Sequence, residues 1–284
     1  MEEMHGVYER EQLTRIENWE REGPSSLAKT VGFFSSPLAW AARQVMPEHA
    51  MQRALEAAFG AASAFSGSDD LLVEADKLGY RASGVKELAN APLHVGDTLA
   101  AHTSTWAKGF AAAEGAITGM AGIAGLAADI PALLILAIRS IRRVGFCYGF
   151  DTGSEGERAF IIHVLSAGAA NSISERSDAI REAMSVHASL RNPDGKPMTD
   201  ARGIDVLGRE GIGAAIRNLA KQLCINLTSR KAVQTLPLIG GGVGAAMNAM
   251  FIGDVVQAAM RLYQKRRLEI PSVDSRMAVS ATKS

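Results

Sequence analysis

The chain has 284 residues, of which 30 are basic and 30 acidic, so its formal charge is zero, and 47% of it is hydrophobic. A globule of this length buries a core without disulfide or metal staples, and a zero balance excludes the basic footprint of a general nucleic-acid binder. Cys147 and Cys224 are too few for a disulfide framework, and the acidic start MEEMHGVYERE lacks the apolar stretch of a secretory signal, which sets the expectation of a cytoplasmic protein.

Taken in chain order, helix signals dominate, and no Asn-Gly or Asp-Gly hairpin lies between β-branched runs. The spacing of Leu13, Ile16 and Glu20 predicts a helix from about Val7 to Arg21, ended by Gly23-Pro24, with one narrow apolar stripe through Leu13, Ile16 and Trp19. Residues 25–65 read as two or three helices punctuated at Pro37 and Pro47. The uncharged aromatic stretch Val31 to Trp40 within them suits core packing or an interfacial anchor. Asp69-Asp70 is placed to cap a helix running to Leu78, and Pro92 to open the next. Two largely apolar segments follow, Glu114–Tyr148, interrupted at Asp129 and Pro131, and Ala232–Gly253, interrupted at Pro237. Between them lie helices from about Ser154 to Gly168 and Ser172 to Leu190, then a polar surface loop from Arg191 to Met198. The expected fold class is all-α: a single compact domain of about ten helices with Gly/Ala-rich central helices, spanning residues 1–271. A disordered polar tail is expected over 272–284.

The apolar segments carry small residues at helical spacing. Gly115, Gly119, Gly122 and Gly125 are four, three and three apart, within an arc of roughly 120°. Gly242, Ala246, Ala249 and Gly253 form a second seam. Four glycines in one helix cost about 4 kcal/mol relative to alanine, so close backbone approach between helices is expected to offset them. Gly115 to Ala128 reaches roughly 21 Å and Leu238 to Ile252 about 22 Å, short of the ~30 Å hydrocarbon thickness of a bilayer. With Asp129 placed as a cap and Pro131 in a first turn, the first segment reads as two helices joined by a sharp turn. Buried core, re-entrant insertion and spanning remain the alternatives for both segments.

Basic clusters follow each segment: Arg139, Arg142 and Arg143, then Arg261, Lys265, Arg266 and Arg267. They suit helix C-termini and ordinary solvation, or anionic headgroups at about 1 kcal/mol per charge. Glu114, Asp129, Asp151, Asn248 and Asp254 lie within or beside the apolar runs, and burial demands that each be capped, paired or protonated. They form a candidate polar cluster for a ligand or ion.

These residues resemble the EcsC protein family. The resemblance runs through Glu114-Gly115-x-x-x-Gly119, Gly122, Gly125, Asp129-Ile130-Pro131, Arg139 and Tyr148-Gly149-Phe150-Asp151. It continues through Pro237 to Gly244, Asn248, Asp254 and the basic residues after it, and it covers roughly residues 10 to 268. It implies a helical bacterial protein and, through the family's naming after a gene beside an ABC transporter, membrane-related biology. It carries over no catalytic residues.

Familiar catalytic signatures are missing from the sequence. The six histidines include no pair spaced for a zinc-protease helix, and neither a Gly-x-Ser-x-Gly elbow nor a phosphate loop occurs. Gly240-x-Gly242-x-x-Ala245 matches a dinucleotide fingerprint loosely, without the strand or βαβ context that motif needs. No cofactor or metal is expected. The leading expectation is a non-catalytic accessory protein that associates peripherally with an anionic membrane or binds a lipid or apolar ligand, at the inner face of the cell membrane. Its alternatives are a soluble interaction module for a membrane transporter component, and an enzyme built on the carboxylate cluster.

Overall fold

A computed structural model of the chain describes residues 2–23, 46–64, 67–119, 122–190, 200–232 and 240–269. The elements are α1 (Glu2–Arg21), α2 (Glu48–Ala64), α3 (Asp69–Lys77), a 3-10 turn (Val85–Asn90), α4 (Leu93–Gly119) and α5 (Gly122–Cys147). They continue with α6 (Glu155–Ala169), α7 (Ile173–Ser189), α8 (Asp200–Ala232) and α9 (Gly240–Glu269). The fold is all-α in one compact domain, and no strand occurs among the described residues. The stretch 31–40, the loop 191–198, Pro237 and the tail 272–284 lie outside them.

Helix boundaries follow local chemistry. Ser154 and Ser172 accept hydrogen bonds from the backbone N–H of Glu157 and Glu175, capping α6 and α7. At α7 the Glu175 carboxylate also reaches back to the Asn171 N–H, one residue before the cap, which fixes the entry of the chain into the helix. α5 ends in a Schellman turn: the Phe150 N–H bonds the Gly145 carbonyl, and the Gly149 N–H bonds that of Phe146. Gly149 takes φ +84°, and a methyl there would sit 2.2 Å from the Ala89 nitrogen, so glycine is required twice over. The Tyr148-Gly149-Phe150 motif is therefore a helix stop that docks α5 on the 3-10 turn.

Three expectations need correction. In α1 the inward stripe is Gln12, Ile16 and Trp19, each at most 4% exposed, while Leu13 is 42% exposed. Ser68 stands at the N-cap of α3 without a side-chain hydrogen bond, and Asp69 and Asp70 fall inside the first turn instead of capping it. Most consequentially, Asp129-Ile130-Pro131 does not break a helix. α5 runs unbroken through Pro131, whose fixed φ suits helical backbone even though its missing N–H forfeits one hydrogen bond. Gly115 and Gly119 belong to α4, and Gly122 and Gly125 to α5.

The core is organised around α9. Phe251, Ile252, Val255, Val256, Ala258, Ala259, Leu262 and Tyr263 are buried along it. It packs most extensively on α4 and also against α5, α6 and α1. α7 and α8 both lean on α6 but touch each other little, while α2 bridges α5 and α8. Burial of this many aliphatic side chains, at about 25 cal/mol per Å² of apolar surface, is what holds the bundle.

Cys147 sits in that core, 1% exposed, and burial pushes its thiol up to about 12. The thiolate is the reactive species, so Cys147 is expected to resist a disulfide-exchange reagent at pH 8 and to react only on unfolding. Thiol counting in buffer and in denaturant checks this. Modification of Cys147 at the rate of a free thiol would show that the α4–α5 contact opens readily.

Candidate functional site

α4 and α9 run antiparallel. Gly115 meets Gly244 and Asn248 at one end, and Asp97 accepts from Gln264 Nε2 at the other. A methyl group on Gly115 would lie 2.4 Å from the Gly244 carbonyl oxygen, so neither backbone leaves room for a side chain. The α9 residues at this crossing are not those of the expected seam. Ala246 is exposed and Ala249 half-buried, and Gly253 underlies the Lys108 stem, whose Cε would stand 2.8 Å from an added methyl. The calls on Gly119, Gly122, Gly125 and Gly242 fall on positions whose packing lies outside what the structure describes.

Beside the crossing, Asn248 Nδ2 donates to Asp129 Oδ1 at 3.0 Å, and the two residues are 0% and 1% exposed. This bond ties α9 to α5 and explains why Asp129 caps nothing. Glu114 precedes Gly115 and is half-buried, as is Asp254, about 9 Å further along α9 from Asn248. Asp151 is elsewhere: it is exposed, pairs with Lys86 at 3.6 Å, and follows the far end of α5. At 1.5 Å per residue, Tyr148 already stands about 28 Å along that helix from Asp129. The five polar residues therefore do not gather in one site. Among the described residues no group of His, Cys, Asp and Glu is arranged to hold a metal ion.

Two polar networks escaped the sequence reading. Asp97 receives hydrogen bonds from Tyr8 (2.6 Å), Tyr148 (2.6 Å) and Gln264 (2.7 Å), joining α1, α4, α5 and α9. Burial, with the Asp97 charge and hydrogen bond added, raises the Tyr8 and Tyr148 phenols well above their usual range, so both stay protonated donors. In the second network Arg266 donates to both oxygens of Glu157, at 2.6 and 2.9 Å, and through Nε to His187 Nδ1 at 3.1 Å. Its guanidinium lies between Phe150 and Phe160, 4.2 and 4.1 Å from their ring centres. Burial alone would lower the Arg266 pKa, but the Glu157 carboxylate outweighs it and keeps the group charged.

The basic clusters consequently face inward. Arg142 and Arg266 are buried. Arg143 pairs with Asp70 at 2.8 Å, and Lys265 with Glu20 at 2.7 Å. Arg261 bonds Gln12 and Gln264, and Arg267 bonds the carbonyls of Leu88 and Ala91. Except for Gln264, these acceptors come from other elements, which spacing along one helix does not show. Arg139 alone of the seven stands at an aromatic edge that sequence reasoning missed. On α4, Trp106 and Phe110 are 45% and 57% exposed and stack at 5.8 Å, with Arg139 5.3 Å over the Trp106 ring. The signal was present only in part: the two aromatics are four apart and flank the buried line of Ala100, Thr103, Ala107 and Ala111, with Trp106 turned towards Arg139 of α5. Large aromatics off the core stripe ask for another partner.

The fold and these features define a helical domain assembled on a close α4–α9 crossing, with polar ties inside and one aromatic edge outside. The chain belongs to the EcsC protein family, whose model matches residues 10–268. It is also similar to the uncharacterized protein YdbA of Bacillus subtilis strain 168, with 28% identity over 184 residues, or 65% of this chain. The match spans 62% of the length of YdbA. No solved structure matches the chain.

Proposed function

We propose that this protein is a non-catalytic accessory protein that docks peripherally on the anionic inner face of the cell membrane through the α4 edge. The supporting observation is the stacked, half-exposed Trp106–Phe110 pair with the Arg139 guanidinium beside it. Trp and Phe settle at headgroup depth with an apolar body inward, and an arginine there meets lipid phosphate. Among the described residues no helix is long and apolar enough to cross a membrane, and the proposal is of surface contact only. The magnitudes fit a reversible association. Finishing the burial of two half-hidden aromatics contributes about 1–1.5 kcal/mol each, and the arginine about 1 kcal/mol.

Vesicle flotation tests this reading. The chain is expected to float with vesicles containing phosphatidylglycerol and less with phosphatidylcholine alone. Trp106→Ala/Phe110→Ala is expected to weaken recovery at least about tenfold, and Arg139→Gln to erase the preference for anionic lipid. Background recovery with both vesicle types would remove the membrane role.

A further inference from the structure

α7 and α8 both pack on α6 while scarcely touching each other, so the three helices enclose a groove with α6 as its floor. The cleft holds about 400 Å³. It follows α8 from Ala215 to Asn226, about 16 Å or three helical turns. Its lining is mixed: Ile162, Ala179 and Leu219 are buried there, Ser166 of α6 and Gln222 of α8 hydrogen-bond each other across it, and Ile225 at the rim is 47% exposed.

The two walls differ in charge. α7 presents Glu175, Asp178 and Glu182, which are three and four apart on one face. Glu175 is partly used, since it accepts from Asn171 and Asn226, and exposed Asp178 meets Arg181 of its own helix. Glu182 has no ion-pair partner among the described residues. Across the groove Lys221 on α8 is likewise exposed and unpaired. His163 on the floor adds no opposing charge at neutral pH, because burial lowers its pKa despite the nearby Glu182.

We infer that this groove is the docking site for an amphipathic helix of a partner protein, with an apolar face and a basic flank. Such a helix takes the fourth position of a bundle whose other three members are α6, α7 and α8. Its apolar side covers Ile225 and the Leu219 floor, and its basic flank lies along Asp178 and Glu182. Apolar anchors at helical spacing set in a groove are an established mode of peptide recognition, and the acidic wall supplies the charge complementarity that selects a basic helix. The site is on different helices from the Trp106–Phe110 edge and does not depend on it.

The probe is a fluorescein-labelled peptide of about four turns, with leucines on one face and lysines on one flank of it, titrated against the full chain by anisotropy. A peptide with glutamates in place of the lysines serves as its counterpart. The lysine peptide is expected to bind at least about tenfold more tightly than the glutamate peptide. Asp178→Lys/Glu182→Lys is expected to reverse that order, and Ile225→Asp to weaken both. These side chains are exposed, so circular dichroism is expected to stay native in each variant. Trp106→Ala/Phe110→Ala is expected to bind the peptide unchanged, which separates this groove from the membrane edge. Equal binding of both peptides, or indifference to the Asp178/Glu182 and Ile225 changes, would overturn the inference. So would a dimer, seen by sedimentation, that Ile225→Asp dissolves, since a second copy of this chain would then fill the groove.

Discussion

Glu157→Ala is expected to lower the unfolding free energy by about 3–5 kcal/mol, the range for stripping one partner from a buried ion pair. The reason is what remains. Arg266 is 3% exposed and lies beside Phe150 and Phe160, so without Glu157 its charge loses its two-pronged partner and is left with His187, the ring faces and the more distant Glu269 against the loss of water. Cation–π contact contributes about 1–2 kcal/mol, too little to replace a two-pronged carboxylate. Replacing both members, as Glu157→Leu/Arg266→Met, is expected to restore most of the loss, because no orphaned charge is left. Urea unfolding followed by circular dichroism measures both variants. A Glu157→Ala midpoint equal to the parent's would mean that water reaches Arg266.

The second large effect concerns Gly115, where two terms compete. Alanine gains about 1 kcal/mol over glycine in a helix interior, but its methyl would press to 2.4 Å from the Gly244 carbonyl oxygen. Backbone cannot step aside as a side chain can, so α4 and α9 must separate, at about 1–3 kcal/mol for alanine and more for valine. The steric term wins. Gly109 is the control on the same helix: nothing lies within 4 Å of a methyl built there, so Gly109→Ala is expected to stabilise by up to about 1 kcal/mol. Opposite signs for two Gly→Ala changes in α4 are the expected outcome. If Gly115→Ala were as harmless as Gly109→Ala, the helix crossing would be looser than described.

Local rules carried the helix starts and stops. The helices expected from Ser154 and Ser172 do begin there, each capped by that serine, and Gly149 stops α5 by its positive φ. The need for close backbone approach was also legible, since glycines in helices cost stability unless something lies against them. The partner line on α9 was not. Gly244 and Asn248 meet Gly115, and an asparagine is not a small residue until a buried Asp129 is known to hold its side chain. Pro131 misled for a similar reason: proline lowers the odds of a continuing helix without forbidding it, and packing decided. The inward turn of Arg261, Lys265, Arg266 and Arg267 was hidden because most of their partners sit on other helices or loops. Asp97 gave no warning at all. Only the fold brings Tyr8, Tyr148 and Gln264 to it.

The central position of α9 has a consequence for how the molecule is made. Synthesis proceeds at about 5–20 residues per second, so the helix that covers α4 leaves the ribosome on the order of ten seconds after α4 itself. During that interval the sticky side of α4, including the Gly115 notch, waits without its mate. Pairings such as Asp97 with Gln264, 167 residues apart, mark a slow, late closure of the kind that accompanies distant contacts. A chaperone that shields bare helical grooves during translation would thus find a target in α4 until α9 is made.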